Sequence, residues 1–499
     1  MITYTQQDYL NTLTDAGLVT DSNLYGHAAD SVQGLTYNSK EAASGTLFVC
    51  KGAAFRPEYL ADAVSHGATL YVSEQKFDLN TEVPYILVSD VRKAMPYLGK
   101  LFYNDPSKDL NLIGVGGTKG KSTTAYYVKA IVDDYMASLG KKESAVISSI
   151  DVYDGITKVE SHITTPENIE LMQHFRNAVD SGIDFLEMEV SSQALKYGRV
   201  EQIMFDAAIF LNISEDHISP IEHPDFSSKL KMFAQTKNAL INTNSDYFER
   251  VAEAAKAAPN VITFGTNEGS DIYGYDIEKV DHEIHFRVKC DRFDEAFALT
   301  MPGLFNVENA LAAIAAAYVF NIPVEFMKSG LYRARSSGRM ETYMSADKNI
   351  IAVVDYAHNK LSFDKLFSST RKEYPDYDII SIFGCPGKKA FIRRRDLGTI
   401  AGMYSKKVYL VAEDPGAEPV EQISKDIAQY VEAQHCPYEM IEDRGEAIHK
   451  AIMEAEEKTI LLITGKGNET RQKYGTEYLD CPSDVEYTKK YLAEYDAAH

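Results

Sequence analysis

Residues 110–124 read LNLIGVGGTKGKSTT, an apolar run followed by a glycine-rich turn and a Lys-Ser pair that opens a helix. This strand–loop–helix unit constrains the fold more than any other part of the chain, because it builds a cradle for a nucleoside triphosphate. Leu110, Leu112, Ile113 and Val115 supply the strand. Gly117, Thr118 and Gly120 let the backbone wrap phosphate, and Lys121, Ser122 and Thr123 begin a helix whose free N–H groups suit an anion. Lys121 can then reach the β- and γ-phosphates, and the Ser122 hydroxyl can bind Mg2+. The spacing departs from the usual G-x-x-x-x-G-K-[ST]. Val115 stands five residues before Gly120, and the nearby glycines are Gly114, Gly116 and Gly117. A glycine-rich loop without nucleotide is the competing reading, and the strand–GKS–helix context speaks against it. The chain reads as an ATP user.

At 499 residues the length suits about three domains. The 45% apolar and 25% charged content is that of an ordinary soluble globular protein. A net charge of −22 without a long basic run excludes nucleic-acid binding through a global electrostatic footprint. An anionic ligand must then be held by local cations and helix N-termini. Cys50, Cys290, Cys385, Cys436 and Cys481 lie far apart, with no CxxC pair, and read as reduced cytosolic thiols. The N-terminus is polar and no apolar run approaches membrane-spanning length, so neither a signal peptide nor membrane insertion is expected.

Along the chain, short strand-like runs at 46–50, 69–73 and 85–88 and a helical pattern at 91–103 precede the turn cluster Asn104-Asp105-Pro106-Ser107. From 109 to 337, apolar runs at 183–190 and 205–213 alternate with helical segments, including one near 227–237. That alternation predicts a mostly parallel sheet with helices on both faces. The alternating stretch 273–288 predicts appended antiparallel strands, and the alanine-rich 306–320 predicts a helix. After a linker at Ser336-Ser337-Gly338, strands at 350–354, 379–383, 408–411 and 460–464 alternate with helices in a second open α/β unit. The expected fold is therefore α/β in three domains. A central P-loop parallel-sheet ATPase domain (109–337) is flanked by an N-terminal α/β domain (1–108) and a C-terminal Rossmann-like domain (338–499). Chemistry-bearing residues cluster at the C-terminal strand ends, at 355–359, 384–387, 413–416 and 465–469, which points to one crevice.

Glu189 ends an apolar strand of the central domain, where a carboxylate can complete the Mg2+ shell that Ser122 begins. A surface glutamate at a strand end is the alternative. His217, in NISEDH after the next strand, falls at the same end of the sheet. Lys229 reads from its residues alone as a solvated helix-face lysine. Thr164-Thr165-Pro166-Glu167 fits a helix start, with Thr165 as cap and Pro166 at the first helical position, and such a terminus also suits a carboxylate or phosphate.

In order, GTKGKSTT, TTPEN, EVSSQAL, NISEDH, FNVENALAA, GRMET, DYAHN, GCPGKK with RRRD, EDPGAE and GKGNE resemble the motifs of the Mur ligases over nearly the whole chain. The resemblance is nearest to the MurE branch, whose members add the third residue to UDP-N-acetylmuramoyl-dipeptide in peptidoglycan synthesis. The family shares the wider glycine spacing. The resemblance implies Lys121 as phosphate-binding lysine, Ser122 as Mg2+ hydroxyl, and Glu189 and His217 at metal-binding positions. It makes Lys229 the lysine that is carbamylated into a carboxylate-like Mg2+ ligand, reversing the bland reading. It further implies that Asn306 contacts adenine, and that Asp355, His358 and Asn359 contact ATP from the C-terminal domain. Thr164, Thr165, Ser191 and Arg199 resemble positions that hold the UDP-muramoyl-dipeptide, and Ser39 resembles its uridine-side contact, although Tyr37-Asn38-Ser39-Lys40 departs from the usual D-S-R. Arg394 and Glu469 resemble residues that grip the α-carboxylate and amine of the acceptor amino acid.

MurE enzymes that use meso-diaminopimelate resemble one another in Asp-Asn-Pro-Arg, where this chain has Glu413-Asp414-Pro415-Gly416. Without that guanidinium a buried distal carboxylate is left unpaired, at a cost of roughly several kcal/mol. Two carboxylates suit a distal ammonium, so L-lysine is the expected acceptor, with ornithine or another diamino acid as alternatives. The expected reaction passes through an acyl phosphate, with ATP and Mg2+, in a monomer acting on small molecules during cell-wall growth and division. Two other readings stand beside it: another ligase of the superfamily, such as folylpolyglutamate synthetase or a muramoyl ligase for a different step, and a non-catalytic ATP-binding paralogue. EVSSQAL and GKGNE speak against the folate enzyme, and Lys121, Glu189, His217 and Lys229 against the paralogue.

Overall fold

The computed structural model describes residues 3–52, 55–161, 163–213, 226–280, 283–336, 338–389, 391–456 and 458–499. Among them the chain forms three α/β bodies, each on its own sheet. The first sheet has five strands in the order Val19–Asn23, Tyr85–Val88, Ala68–Ser73, Thr46–Val49 and Gly34–Thr36. Its helices begin on side-chain caps: Thr5 and Asp8 close a capping box ahead of Gln6–Asp15, and Asp90 caps Val91–Phe102.

The central sheet has eleven strands among the described residues. The P-loop strand Asn111–Gly116 lies between Phe185–Glu189 and Phe205–Phe210, parallel to both. Ala145–Ile147 extends the parallel core on one side, and Thr236–Asn242 and Asn260–Gly265 on the other. Antiparallel strands are confined to the edges, at Asp151–Tyr153 with Lys158–Glu160 and at Glu283–Lys289 with its neighbours. A parallel sheet with both faces covered needs strands that are apolar on both sides. Ile113 and Val115 accordingly pack with the P-loop helix Lys121–Ser138 and the alanine-rich helix Asn306–Val319. Leu112, on the other face, packs with helix Asn168–Asp180.

The C-terminal sheet runs Glu341–Met344, Ile350–Asp355, Thr459–Thr464, Asp378–Phe383, Lys407–Leu410 and Tyr438–Met440, and only its first strand is antiparallel. The buried cluster under the P-loop helix continues into Ile351, Val353 and Phe363 of this body. The carboxyl ends of the two parallel sheets thus meet around one cavity.

One expected element is different. The helix near 227–237 is a short helix, Phe226–Leu230, followed by a 3-10 turn at Lys231–Gln235, and the next strand begins at Thr236. Tertiary packing decides this: Met232 and Phe233 are fully buried, and Met232 Sδ lies 2.7 Å from where a Cβ on Gly116 would stand.

Candidate active site

The glycine loop takes its shape from both sides. Gly117 and Gly120 have φ of +138° and +84°, and a Cβ on Gly120 would lie 2.3 Å from Asn309 Oδ1. Asn212, just past strand Phe205–Phe210, clamps the loop: its backbone carbonyl accepts from Thr118 N at 2.9 Å and its Oδ1 from Lys119 N at 2.9 Å. Lys121 Nζ curls back to donate to the carbonyls of Gly117 and Thr118 at 3.1 and 3.3 Å. Burial lowers its pKa, and Arg339 adds to that while Glu189 opposes it.

Ser122 and Glu189 meet through a residue that sequence reading missed. Ser149 Oγ is 3.1 Å from Ser122 Oγ, and Ser149 donates to Glu189 Oε1 from its backbone N–H at 2.8 Å and from its hydroxyl at 3.0 Å. Arg339 Nη2 reaches the same hydroxyl at 3.2 Å while its guanidinium lies 4.3 Å over the Tyr356 ring. Ser149 carries no sequence signal, because it follows a three-residue strand in an unremarkable run. Arg339 did carry one, since it stands in the GRMET motif.

Lys229 is buried, not solvated. Its Nζ donates to Thr118 Oγ1 at 3.1 Å, and burial together with nearby Lys121 brings its pKa down to about 8. His217 lies outside the described residues. The described oxygen donors of Ser122, Ser149 and Glu189 have the hard-ligand chemistry of a Mg2+ site.

Two cavities open on either side of the loop. The larger, about 430 Å³, is lined by Thr118–Thr123, by Phe305, Glu308 and Asn309, and by Arg339, Asp355, His358, Asn359 and Ser362 from the C-terminal body. The smaller, about 280 Å³, is lined by Gly117, Thr118, Lys121, Thr164, Ser191, Arg199 and Lys229. Thr118, Lys121 and Thr164 border both.

In the larger cavity, Asp355 accepts from the backbone N–H groups of Met340 and Ala357 at 2.9 and 2.7 Å, and burial raises its pKa. His358 is pushed well below the ordinary imidazole range by burial and by the charges of Lys119 and Arg393. Asn359 caps helix Lys360–Glu373 and accepts from Ser362 Oγ at 2.7 Å, and that hydroxyl accepts from Lys119 Nζ at 2.8 Å. Asn306 does not line the cavity. Its Nδ2 donates to Pro302 O at 2.6 Å and its Oδ1 accepts from Asn309 Nδ2 at 2.9 Å, so Asn309 is the amide at the wall.

Around the smaller cavity, Thr165 is not a helix cap. The helix begins at Asn168 with Glu167 in the cap position, because the Thr165 hydroxyl is spent on Glu189 O at 2.8 Å and on Ser191 N at 3.1 Å. Arg199 binds Thr165 O at 3.0 Å and Glu167 at 3.0 Å. Lys51 of the N-terminal body also reaches Glu167, at 3.1 Å, and packs over Tyr37. Ser39 is buried in the turn Ser39–Glu41 and borders neither cavity.

At the C-terminal crevice, Lys466 Nζ bridges Asp414 at 3.0 Å and Glu469 at 2.5 Å. Arg394 turns away into Glu418 and Asp426, at 2.8 and 2.7 Å, with only a few per cent of its side chain exposed. Glu413, next to the expected Asp414, is buried, and desolvation brings its pKa up to about 8.

A glycine loop between two cavities, faced by a second open α/β sheet, has the architecture of a P-loop protein with two candidate ligand sites. The family described as Mur ligase middle domain matches residues 115–317, and that described as Mur ligase, glutamate ligase domain matches residues 338–467. The chain belongs to the Mur ligase family and is an ATP-dependent acid–amino-acid ligase. It is similar to the UDP-N-acetylmuramyl-tripeptide synthetase of Lactobacillus acidophilus, at 34% identity over 97% of this chain and 96% of that one. The UDP-N-acetylmuramoyl-L-alanyl-D-glutamate--2,6-diaminopimelate ligase of Clostridioides difficile is 34% identical over 91% and 93%. The UDP-N-acetylmuramoyl-L-alanyl-D-glutamate--L-lysine ligase of Streptococcus agalactiae is 36% identical over 92% of each. A solved structure of a UDP-N-acetylmuramoyl-L-alanyl-D-glutamate--2,6-diaminopimelate ligase shares the fold, with a TM-score of 0.66 at 22% identity over 99% of this chain and 100% of that one.

Proposed function

We propose that this enzyme adds L-lysine to UDP-N-acetylmuramoyl-L-alanyl-D-glutamate during peptidoglycan synthesis, in the cytoplasm and as a monomer. The observation that carries the reading is that Thr118 and Lys121 border both cavities, so one loop touches a phosphate donor on one side and a carboxylate on the other. ATP occupies the larger cavity, and the carboxylate end of the muramoyl-dipeptide enters the smaller. The dipeptide's terminal carboxylate attacks the γ-phosphorus, ADP leaves, and an acyl phosphate forms. The deprotonated α-amine of the acceptor then adds to the acyl carbon, and collapse of the tetrahedral intermediate expels phosphate and leaves the amide.

Lys121 supplies positive charge where the transferred phosphoryl group passes, and positioning does most of the remaining work. Ser122, Glu189 and a carbamate on Lys229 would hold Mg2+, which would neutralise phosphate charge. A pKa of about 8 supports Lys229 as the carbamylation site, since a neutral amine is what adds to CO2. Contacts from Lys119 to Ser362 and from Glu160 to Thr470 join the central and C-terminal bodies, an arrangement suited to keeping water from the acyl phosphate.

Gly416 offers no cation to a second acceptor carboxylate, while Asp414 and Glu469 share the single cation Lys466 and Glu413, with its pKa at about 8, is largely uncharged at neutral pH. That balance favours a distal ammonium and hence L-lysine. The test is ADP release with UDP-muramoyl-dipeptide and L-lysine, ornithine or meso-diaminopimelate in parallel. Release with meso-diaminopimelate alone would overturn the acceptor assignment, and none with any diamino acid would overturn the reaction.

A further inference from the structure

We propose that Glu373, which lines neither cavity, is an interdomain positioning residue that holds the loop at 302–305 against the nucleotide cavity. Glu373 ends helix Lys360–Glu373 of the C-terminal body, and its side chain is only 3% exposed. Its carboxylate crosses to the central body, where Oε2 accepts from Gly303 N and Oε1 from Leu304 N, both at 3.2 Å. Ser369 Oγ donates to it at 2.6 Å from within its own helix. Lys279, on a central-body strand, donates to the Glu373 carbonyl at 2.7 Å and lies 3.4 Å over the Tyr374 ring, a cation placed at a helix C-terminus.

The loop that Glu373 grips leads directly to the cavity wall. Phe305 lines the cavity, and Gly303, at φ +96°, leaves no room for a side chain because a Cβ would lie 2.8 Å from the Phe305 ring. From there the contacts run through Asn306 to Asn309 and on to the Gly120 backbone of the phosphate loop. The same helix touches the cavity at its other end, where Ser362 accepts from Lys119. One rigid helix is therefore fastened to the central body at both ends, and nucleotide affinity depends on the far fastening. Linkage makes this reciprocal: bound nucleotide strengthens docking of the C-terminal body.

This inference rests on the larger cavity being the ATP site. The test titrates the full chain with a non-hydrolysable ATP analogue by calorimetry and measures KM for each substrate. Glu373→Ala is expected to weaken analogue binding about fivefold or more and to raise the KM for ATP in step, the lower end of typical coupling between sites. Glu373→Gln, which keeps one acceptor oxygen, and Lys279→Met are expected to do the same to a smaller extent. The KM for UDP-muramoyl-dipeptide stays within twofold in all three, which a general loss of structure would not allow. Analogue affinity within twofold of wild type in the folded variants overturns the proposal, and Glu373→Gln and Lys279→Met carry the test if Glu373→Ala fails to fold. A wild-type chain that binds no analogue refutes the ATP-site reading instead.

Discussion

Replacing Lys229 by Ala tests the reaction chemistry most directly. An amine of ordinary pKa 10.5 is only about 0.1% neutral at pH 7.5, whereas one at about 8 is neutral in about a quarter of molecules. Burial and Lys121 thus raise the reactive amine roughly 200-fold at the pH of a cell. Carbamylation should therefore climb with pH through about 8, and activity should fall in CO2-depleted buffer and return with bicarbonate. Lys229→Ala is expected to lose about a hundredfold or more in kcat, the scale for removing one group that organises transition-state charge, and short carboxylic acids should restore part of it. With 13C-bicarbonate, wild type should give a carbamate resonance that the variant lacks. Activity within threefold of wild type, or a resonance that survives in the variant, would refute the reasoning.

Three further outcomes follow from local geometry. Gly120→Ala places a side chain at φ +84°, 2.3 Å from Asn309 Oδ1, so the loop relaxes out of its phosphate-wrapping shape; restoring that shape costs ~1–2 kcal/mol of left-handed strain, and ATP-analogue binding should weaken about fivefold to thirtyfold. Arg444 and Asp484 form a buried two-point ion pair at 2.9 and 2.6 Å, and Arg444 also donates to Ala412 O and Thr464 O. Asp484→Ala removes the two-point partner of that guanidinium, leaving Glu413 as its nearby carboxyl, and should destabilise the protein by ~3–5 kcal/mol, read by circular dichroism in urea; an unchanged midpoint would contradict it. Burial works against the Asp154 charge, yet donors from His174, Thr157, Asn177 and Ile156 hold its pKa near about 2, below the ordinary 3.8. Because the folded value is depressed, its stabilisation is complete above about pH 4 and disappears as pH falls toward about 2. The thermal midpoint gap between wild type and Asp154→Asn should shrink across that interval, and a gap constant to pH 2 would refute the assignment.

Much of the architecture was legible because it rests on local periodicity. The P-loop strand and helix, the alanine-rich helix and the strands of the last body all follow from apolar runs a few residues long. The segment at 227–237 was not legible, because a helical pattern gave way to the need to bury Met232 and Phe233 against Gly116. Thr165 misled in the same way: its hydroxyl prefers Glu189 O and Ser191 N, partners distant in sequence, over the start of its own helix.

By itself the sequence determined which chemistry-bearing residues this enzyme has and at which strand ends they stand, since turn glycines and strand periodicity act over a few neighbours. Only the tertiary structure decided how those residues pair. It buried Lys229 against Thr118, joined Ser122 to Glu189 through Ser149, and drew Arg394 into Glu418 and Asp426. It also occupied Asp414 and Glu469 with Lys466, and set Glu373 against a loop of another domain. Charge pairing and desolvation depend on distance in space, and a linear chain does not contain that distance until its three sheets have packed together.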